Sequence, residues 1–251
     1  MRLPAVRLCR RPDAARRHRL MADGQRSARI LALVAEQAAR RGSRVDVIDV
    51  CTAAVSILPV GGAGISAMSR TRDSSPLCST DGISERLEEL QLALGEGPCV
   101  DAFALGEAVL APDLRVGEVR DHWPVFASAA VEAGAGAVFA IPLRIGAISP
   151  GVLDLYAVAP GGLSAGELAD AMTFADAAAL VLLDGAQGEL GGYRAEIDQA
   201  TGILTEQLGV GVEEAFVRLR AHTYAEGRRL AEVAADVVAH RLRLPLAPDP
   251  D

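Results

Sequence analysis

Four cysteines and a late cluster of arginines are the residues through which this 251-residue chain could do chemistry. The cysteines are Cys9, Cys51, Cys78 and Cys99. None forms a CxxC pair and no histidine stands at ligand spacing from them, so the sequence predicts no metal site. Cys99 follows Pro98 where a helical turn can open, and free amides there would favour a thiolate. The plainer reading of Cys99 is a buried, inert thiol. Trp123, the single tryptophan, either packs against a sheet edge or stacks on a ligand. His122, His222 and His240 have no Ser or Asp arranged with them, so no catalytic triad is expected. No G-x-G-x-x-G follows a strand and no Walker loop is present. The chain is therefore read as a non-enzyme. The remaining candidates are Arg218, Arg220, Arg228, Arg229, Arg241 and Arg243, all after residue 217. Arginine pairs with phosphate through a planar fork and stacks on unpaired bases, the chemistry needed to read RNA loops. The competing reading is a solvated face on which these arginines balance Glu226, Glu232 and Asp236.

Composition narrows the classes. Half the residues are hydrophobic and only 4% aromatic, so the core is built from Ala, Val, Leu and Ile. The net charge is −8, with neither lysine nor asparagine anywhere in the chain. Residues 1–20 carry seven Arg against one Asp, and the remainder is strongly acidic, which argues against non-specific nucleic-acid binding. Reduced thiols in a cytoplasmic protein are the expectation, with no membrane span. Residues 1–26 are read as a disordered basic arm or as a mis-assigned start, Met21 being an alternative first residue.

Periodicity then supplies the elements. Helices are predicted at 27–41, closed by Gly42, and at 46–58, where VDVIDV also fits a strand. Short strands follow at 63–68 and 76–79. A helix at 83–94 places Leu87, Leu90 and Leu94 inward and Glu85, Arg86 and Glu89 outward. GEGPC at 95–99 reads as a bend, with strands at 109–111, 138–143 and 152–157 and a helix at 121–132. The last two strands share a short Gly/Pro connection and should be antiparallel. A helix at 164–183 opens with a Ser164/Glu167 capping box. Its stripe of Leu168, Met172, Ala175, Ala179 and Leu182 either packs on the sheet or forms a homodimer seam. This order predicts an α+β sheet carrying packed helices, not a doubly wound fold.

DGAQGELGG follows, and four glycines in nine residues mark a linker at 185–192. Residues 193–244 hold three helices, at 194–208, 212–224 and from 228 to a stop at Pro245. The third matches helical spacing through Leu230, Val233, Ala234, Val237, Val238 and Leu242. A tail occupies 245–251.

Within this last unit, DQATGILTEQLGVGVEEAFVRLRAH followed by RRLAEVAADVV resembles the ANTAR family. The resemblance implies an RNA-binding unit that controls transcription antitermination by engaging stem-loops in nascent transcripts. Arg218, Arg220, Arg228 and Arg229 are the implied RNA contacts. Thr201 stands where many ANTAR sequences have lysine after a Gln-Ala pair, which would remove a phosphate contact. The unit has seven Arg and eight acidic residues, so RNA binding rests mainly on the resemblance.

Residues 27–184 resemble a GAF domain of the kind fused to ANTAR in actinobacteria, through LEELQLALGEGPCVDAF, PDL, HWPVF, IPLRI and GVLDLY. That implies an antiparallel sheet with helices and a small molecule held above it, with no cofactor identified and Cys99 and Trp123 as ligand candidates. The expected whole is an antitermination regulator with a sensor, acting as a homodimer. Two alternatives stand beside it. One is a sensing or interaction module that does not bind RNA. The other is a thiol-dependent reductase, for which Cys51, Cys78 and Cys99 would have to gather round a pocket.

Overall fold

The computed structural model describes residues 14–68, 74–146, 148–185, 192–226, 228 and 230–244. Helix α1 (Ala14–Arg41) begins inside the stretch read as a basic arm, while residues 1–13 lie outside the described residues. Helix α2 (Val47–Ile57) settles the ambiguity of VDVIDV. Asp46 is its N-cap and Asp49 completes a capping box, so the carboxylates satisfy amides that a strand would have needed in a ladder. Strands β1 (Gly62–Met68) and β2 (Ser74–Ser79) pair antiparallel, then α3 (Gly82–Leu94) and α4 (Pro98–Leu105) follow.

The bend expected at 95–99 is only the start of this segment. Gly95 adopts a left-handed φ of 67° to close α3, and Pro98 opens α4, where its missing N–H costs nothing. Strand β3 (Val109–Ala111) is followed by α5 (Gly117–His122) and α6 (Phe126–Ala133) in place of the single helix expected at 121–132. Pro124 explains the break: it bars Trp123 from helical backbone, and Trp123 sits at φ −126° and ψ 75°. Strands β4 (Ala137–Ile145) and β5 (Ile148–Ala157) are antiparallel, as the short connection required. Helix α7 (Ala165–Gly185) opens with the expected Ser164/Glu167 box. Of the linker expected at 185–192, Gly185 ends α7 and Gly192 begins α8, and residues 186–191 lie outside the described residues.

The five strands run in the order β2-β1-β5-β4-β3. Alternation divides the residues of the sheet between two layers. Ala63, Ile65, Phe139, Ile141, Leu153 and Leu155 face α1, α2 and α7 in one apolar core. On the other face, beneath α3, α4 and α6, stand Gly64, Ser66, Val138, Ala140, Val152, Asp154 and Tyr156. The stripe proposed as a dimer seam is divided: Ala175 and Ala179 are buried in the first core beside Ala171, Phe174 and Ala178, whereas Met172 is exposed. The outward apolar residues of α7 are Met172, Leu180 and Leu183.

The last three helices are α8 (Gly192–Leu208), α9 (Val212–Ala225) and α10 (Leu230–Val238). They enclose their own core of Ile197, Ala200, Leu204, Leu208, Ala215, Leu219, Leu230, Val233, Ala234 and Val237. α10 stops short of Leu242, because the amides of Arg241 and Leu242 both turn back to the Asp236 carbonyl. One residue of that core belongs to another part of the chain: Leu92, from α3.

Candidate functional site

Two arrangements stand out, and α3 contributes to both. The first is a buried polar cluster in the sheet face beneath α3 and α4. Asp154 sits at the middle of the central strand β5, opposite Gly64 on β1 and Ala140 on β4. These small neighbours leave headroom above the strand. A Cβ on Gly64 would lie 2.4 Å from Glu88 Oε1, so glycine is what admits the carboxylate of α3 to the sheet. Glu88 and Asp154 are 2% and 5% exposed.

Each carboxylate has one oxygen held in place. The Ser66 hydroxyl donates to Glu88 Oε2. Gln91 Nε2 donates to Asp154 Oδ2 at 3.3 Å, while Gln91 Oε1 accepts the Cys99 amide at 2.7 Å. The other oxygens, Glu88 Oε1 and Asp154 Oδ1, are buried and accept from no amide, hydroxyl or guanidinium among the described residues; the hydrogens within reach are those of the two carboxyls and the Cys99 thiol. The Cys99 thiol completes the group: one donor atom from each of Glu88, Cys99 and Asp154 lies within 4.8 Å of the others.

Burial dominates the electrostatics. It pushes the Glu88 carboxyl well above its usual range, and the neighbouring Asp154 adds to the shift. It moves Asp154 up to about 6 against hydrogen bonds that favour its charge. It also raises the Cys99 thiol, with help from both carboxylates. Of the two readings of Cys99, the buried thiol is the one the surroundings fit, and the thiolate is not. Cys99 does lie in the first turn of α4, but desolvation and two acidic neighbours outweigh the free amides.

The other sequence candidates of this unit lie elsewhere. Trp123 is 6% exposed and packs with Phe126, its indole N–H donating to Asp101 at 3.1 Å. The same carboxylate meets His122 at 2.7 Å. Cys51 and Cys78 touch, with sulfurs 3.3 Å apart, between α2 and β2. Cys99 packs in a different apolar cluster, so the three thiols do not share one pocket wall. Cys78 borders a cleft of about 380 Å³ lined also by Thr80, Asp81 and Glu85.

The second arrangement is a dock between α3 and α9. Arg220 donates through Nε to the Ala93 carbonyl at 2.8 Å. That carbonyl belongs to the last turn of α3, where orphan acceptors and the negative end of the helix dipole favour a cation. The guanidinium lies 5.7 Å from the Phe216 ring centroid and against Gly95, where a Cβ would come within 2.6 Å. Burial lowers the Arg220 pKa. Leu92, one residue before Ala93, inserts into the helical core from the same end of α3.

The remaining RNA candidates are distributed. Arg218 pairs with Glu214 one turn earlier on α9 at 2.6 Å. Arg228 and Arg241 share Asp236, at 2.6 and 2.8 Å. Asp236 was one of the acids expected to balance the arginines. Thr201 is 5% exposed, its hydroxyl donating to the Ile197 carbonyl one turn back. Arg229 lies outside the described residues.

Residues the sequence reading did not single out are Glu88, Gln91, Asp154 and Leu92. A lone acid in the apolar run VLDLYA was the available signal for Asp154. The outward assignment of Glu89 is corrected, since Glu89 is 2% exposed. α3 is covered by the sheet on one side and by α6 and α9 on others, so little of its surface stays wet.

Comparison with known proteins places residues 192–238 in the ANTAR domain family. No curated protein sequence matches the chain. Among solved structures, similarity extends to the GAF domain of an Acinetobacter phosphoenolpyruvate-protein phosphotransferase, at 14% identity and TM-score 0.45, covering 64% of this chain and 97% of that one. The corresponding domain from Coxiella burnetii gives 14% identity and TM-score 0.47, covering 64% and 96%. A type II free methionine-R-sulfoxide reductase from Thermoplasma acidophilum gives 13% and 0.33, covering 50% and 81%. No described helix is long and apolar enough to cross a membrane.

Proposed function

We propose that the chain is an RNA-binding antitermination regulator, acting as a homodimer in the cytoplasm, whose output helices are docked against its own sensor sheet. The observation that carries the reading is the ANTAR match over 192–238, which runs from the first residue of α8 to the last of α10. ANTAR domains bind RNA, and GAF-like units sense small ligands. Hairpins in nascent RNA, once bound, would not join into a terminator.

The dock supplies the control. Arg220, the RNA candidate that faces the sensor, has its guanidinium occupied by the Ala93 carbonyl and Phe216. In this arrangement it is not offered to phosphate. Release of α9 from α3 would free it, together with the surface that Leu92 now covers. Binding and control thus use the same residue, which makes the docked state the RNA-poor state.

The test begins with RNA crosslinked to the full chain in its host, sequenced to identify hairpins. Those hairpins are then titrated with the purified chain at several salt concentrations. Hairpin-specific binding with a salt slope that falls in Arg228→Ala is expected, because each lost phosphate contact releases fewer counterions. Absence of enrichment for any structured RNA, or an affinity equal to that for unstructured RNA, overturns the reading.

A further inference from the structure

We propose that Glu88, Cys99 and Asp154 form a binding site for one divalent first-row transition-metal ion at the heart of the sensor sheet. Three donors converge from three elements, α3, α4 and β5, with their donor atoms within 4.8 Å of one another. The carboxylates are prepared in the way metal ligands usually are. One oxygen of each is fixed by a neighbour, Ser66 for Glu88 and Gln91 for Asp154. The second oxygen of each is buried and accepts from no amide, hydroxyl or guanidinium among the described residues; only the carboxyls and the Cys99 thiol share hydrogens there, and a cation would take the place of those protons. Gln91 also holds the Cys99 amide, so one side chain sets the position of two donors.

Space is available beside them. A void of about 10 Å³, the size of one water molecule or one ion, borders Glu88 and Asp154 together with Gly64, Ser84, Val138 and Tyr156; Cys99 is not among its walls, so the void adjoins the carboxylate side of the donor group. The donor set selects the ion. A thiolate disfavours magnesium and calcium, and two carboxylates disfavour copper(I). Zinc, iron(II) and cobalt(II) accept mixed sulfur and oxygen donors. Three protein ligands leave a coordination position for water or an exogenous small ligand. On binding, the Cys99 thiol proton and any proton shared by the two carboxyls leave to solvent, and three negative donors meet two positive charges. The sequence excluded a zinc site built on a CxxC or a histidine pair; these donors are scattered over 67 positions and are joined only by the fold.

The site names the ligand class of the sensor in the reading above, but its test uses no RNA, so either can fail alone. The chelator-treated full chain is titrated with cobalt(II), then with zinc(II) in competition. One cobalt per chain is expected, with a thiolate-to-metal charge-transfer absorption that disappears in Cys99→Ser and persists in Cys51→Ser and Cys78→Ser. Glu88→Gln and Asp154→Asn should each weaken binding at least tenfold, with the fold checked by circular dichroism. X-ray absorption on the unmutated chain gives a reading that needs no variant: a shell with one sulfur and otherwise oxygen. No stoichiometric binding, no sulfur in the shell, or an absorption that follows Cys51, Cys78 or Cys9 overturns the proposal.

Discussion

Leu92→Ala is the perturbation that separates docking from RNA chemistry, because Leu92 lies on α3, outside the ANTAR-matched residues, and carries no charge. The side chain is 3% exposed and packs in the core of α8, α9 and α10. Truncating a buried leucine costs about 2–5 kcal/mol, the lower figure where the surroundings can relax. At a dock between two units the lower figure applies, and about 2 kcal/mol corresponds to roughly a 30-fold shift toward the undocked state. Both units retain their own cores, so the variant should stay folded. Two assays read the shift. Amide exchange should quicken in the last turn of α3 and along α9, and hairpin affinity should rise, by up to the same factor if the docked form predominates. Arg220→Ala opens the same dock by removing a charge-assisted hydrogen bond, yet it deletes the arginine that RNA would use. It should therefore quicken exchange without the gain in affinity. A folded Leu92→Ala chain with unchanged exchange and unchanged affinity refutes the docking argument; a loss of affinity refutes it more sharply.

Other outcomes follow from particular contacts. Asp49 is buried, which acts to raise its carboxyl, but hydrogen bonds from Arg41 and the Asp46 amide and the Arg41 charge outweigh burial and hold it below its usual value. Its contribution is present above the unfolded value near 3.8 and is lost as pH falls through the lower folded value. Asp49→Asn should cost about 2 kcal/mol at neutral pH and flatten the acid limb of a denaturant–pH series. Among the described cysteines, half-buried Cys78 should be alkylated before Cys51 and Cys99 in the native chain, as peptide mass spectrometry reads directly. If the homodimer uses the outward face of α7, Met172→Glu with Leu183→Glu should yield a folded monomer by light scattering. A retained dimer removes that face from consideration.

The sequence was most informative where local chemistry decides the outcome. Ser164 and Glu167 announced the start of α7, and Gly209, at a φ of 65°, the end of α8. The short apolar runs at 138–143 and 152–157 placed the central strands, and the Gly/Pro link their antiparallel sense. Local signals failed where distant packing governs. Pro98 signalled that a helical turn could open there, but not that it would run on to Leu105 over the sheet. Glu89 looked like an outward residue because an isolated helix would wet it, whereas α3 is enclosed on several sides. Thr201 was singled out for the lysine it replaces, and its surroundings are those of a core residue. The acid–thiol cluster was invisible as a group, since Ser66, Glu88, Gln91, Cys99 and Asp154 come from four elements. Only Asp154 broke its local pattern, as a charge in the middle of an apolar strand.

Helix α3 links the two arrangements in a way that requires no long pathway. Glu88 and Gln91 hold the cluster, while Leu92 and the Ala93 carbonyl hold the dock. From Glu88 to Ala93 is five residues, about 7.5 Å along a helix at 1.5 Å per residue. A rigid helix of that span passes a translation or a roll from one end to the other with little loss. A ligand changes the docked fraction only by as much as it prefers one state to the other. The cluster offers a source of such preference, because an occupant that draws Glu88 toward Asp154 pulls α3 onto the sheet and moves the carbonyl that Arg220 grips. The sign can be measured. If occupation tightens α3 in its present seat, it strengthens the dock, and the ligand should lower hairpin affinity and slow exchange in α9. If it displaces α3, both should move the other way. Leu92→Ala, already undocked, should lose most of the response in either case while still binding the ligand. A response that persists undiminished in that variant would mean that the signal travels by another route.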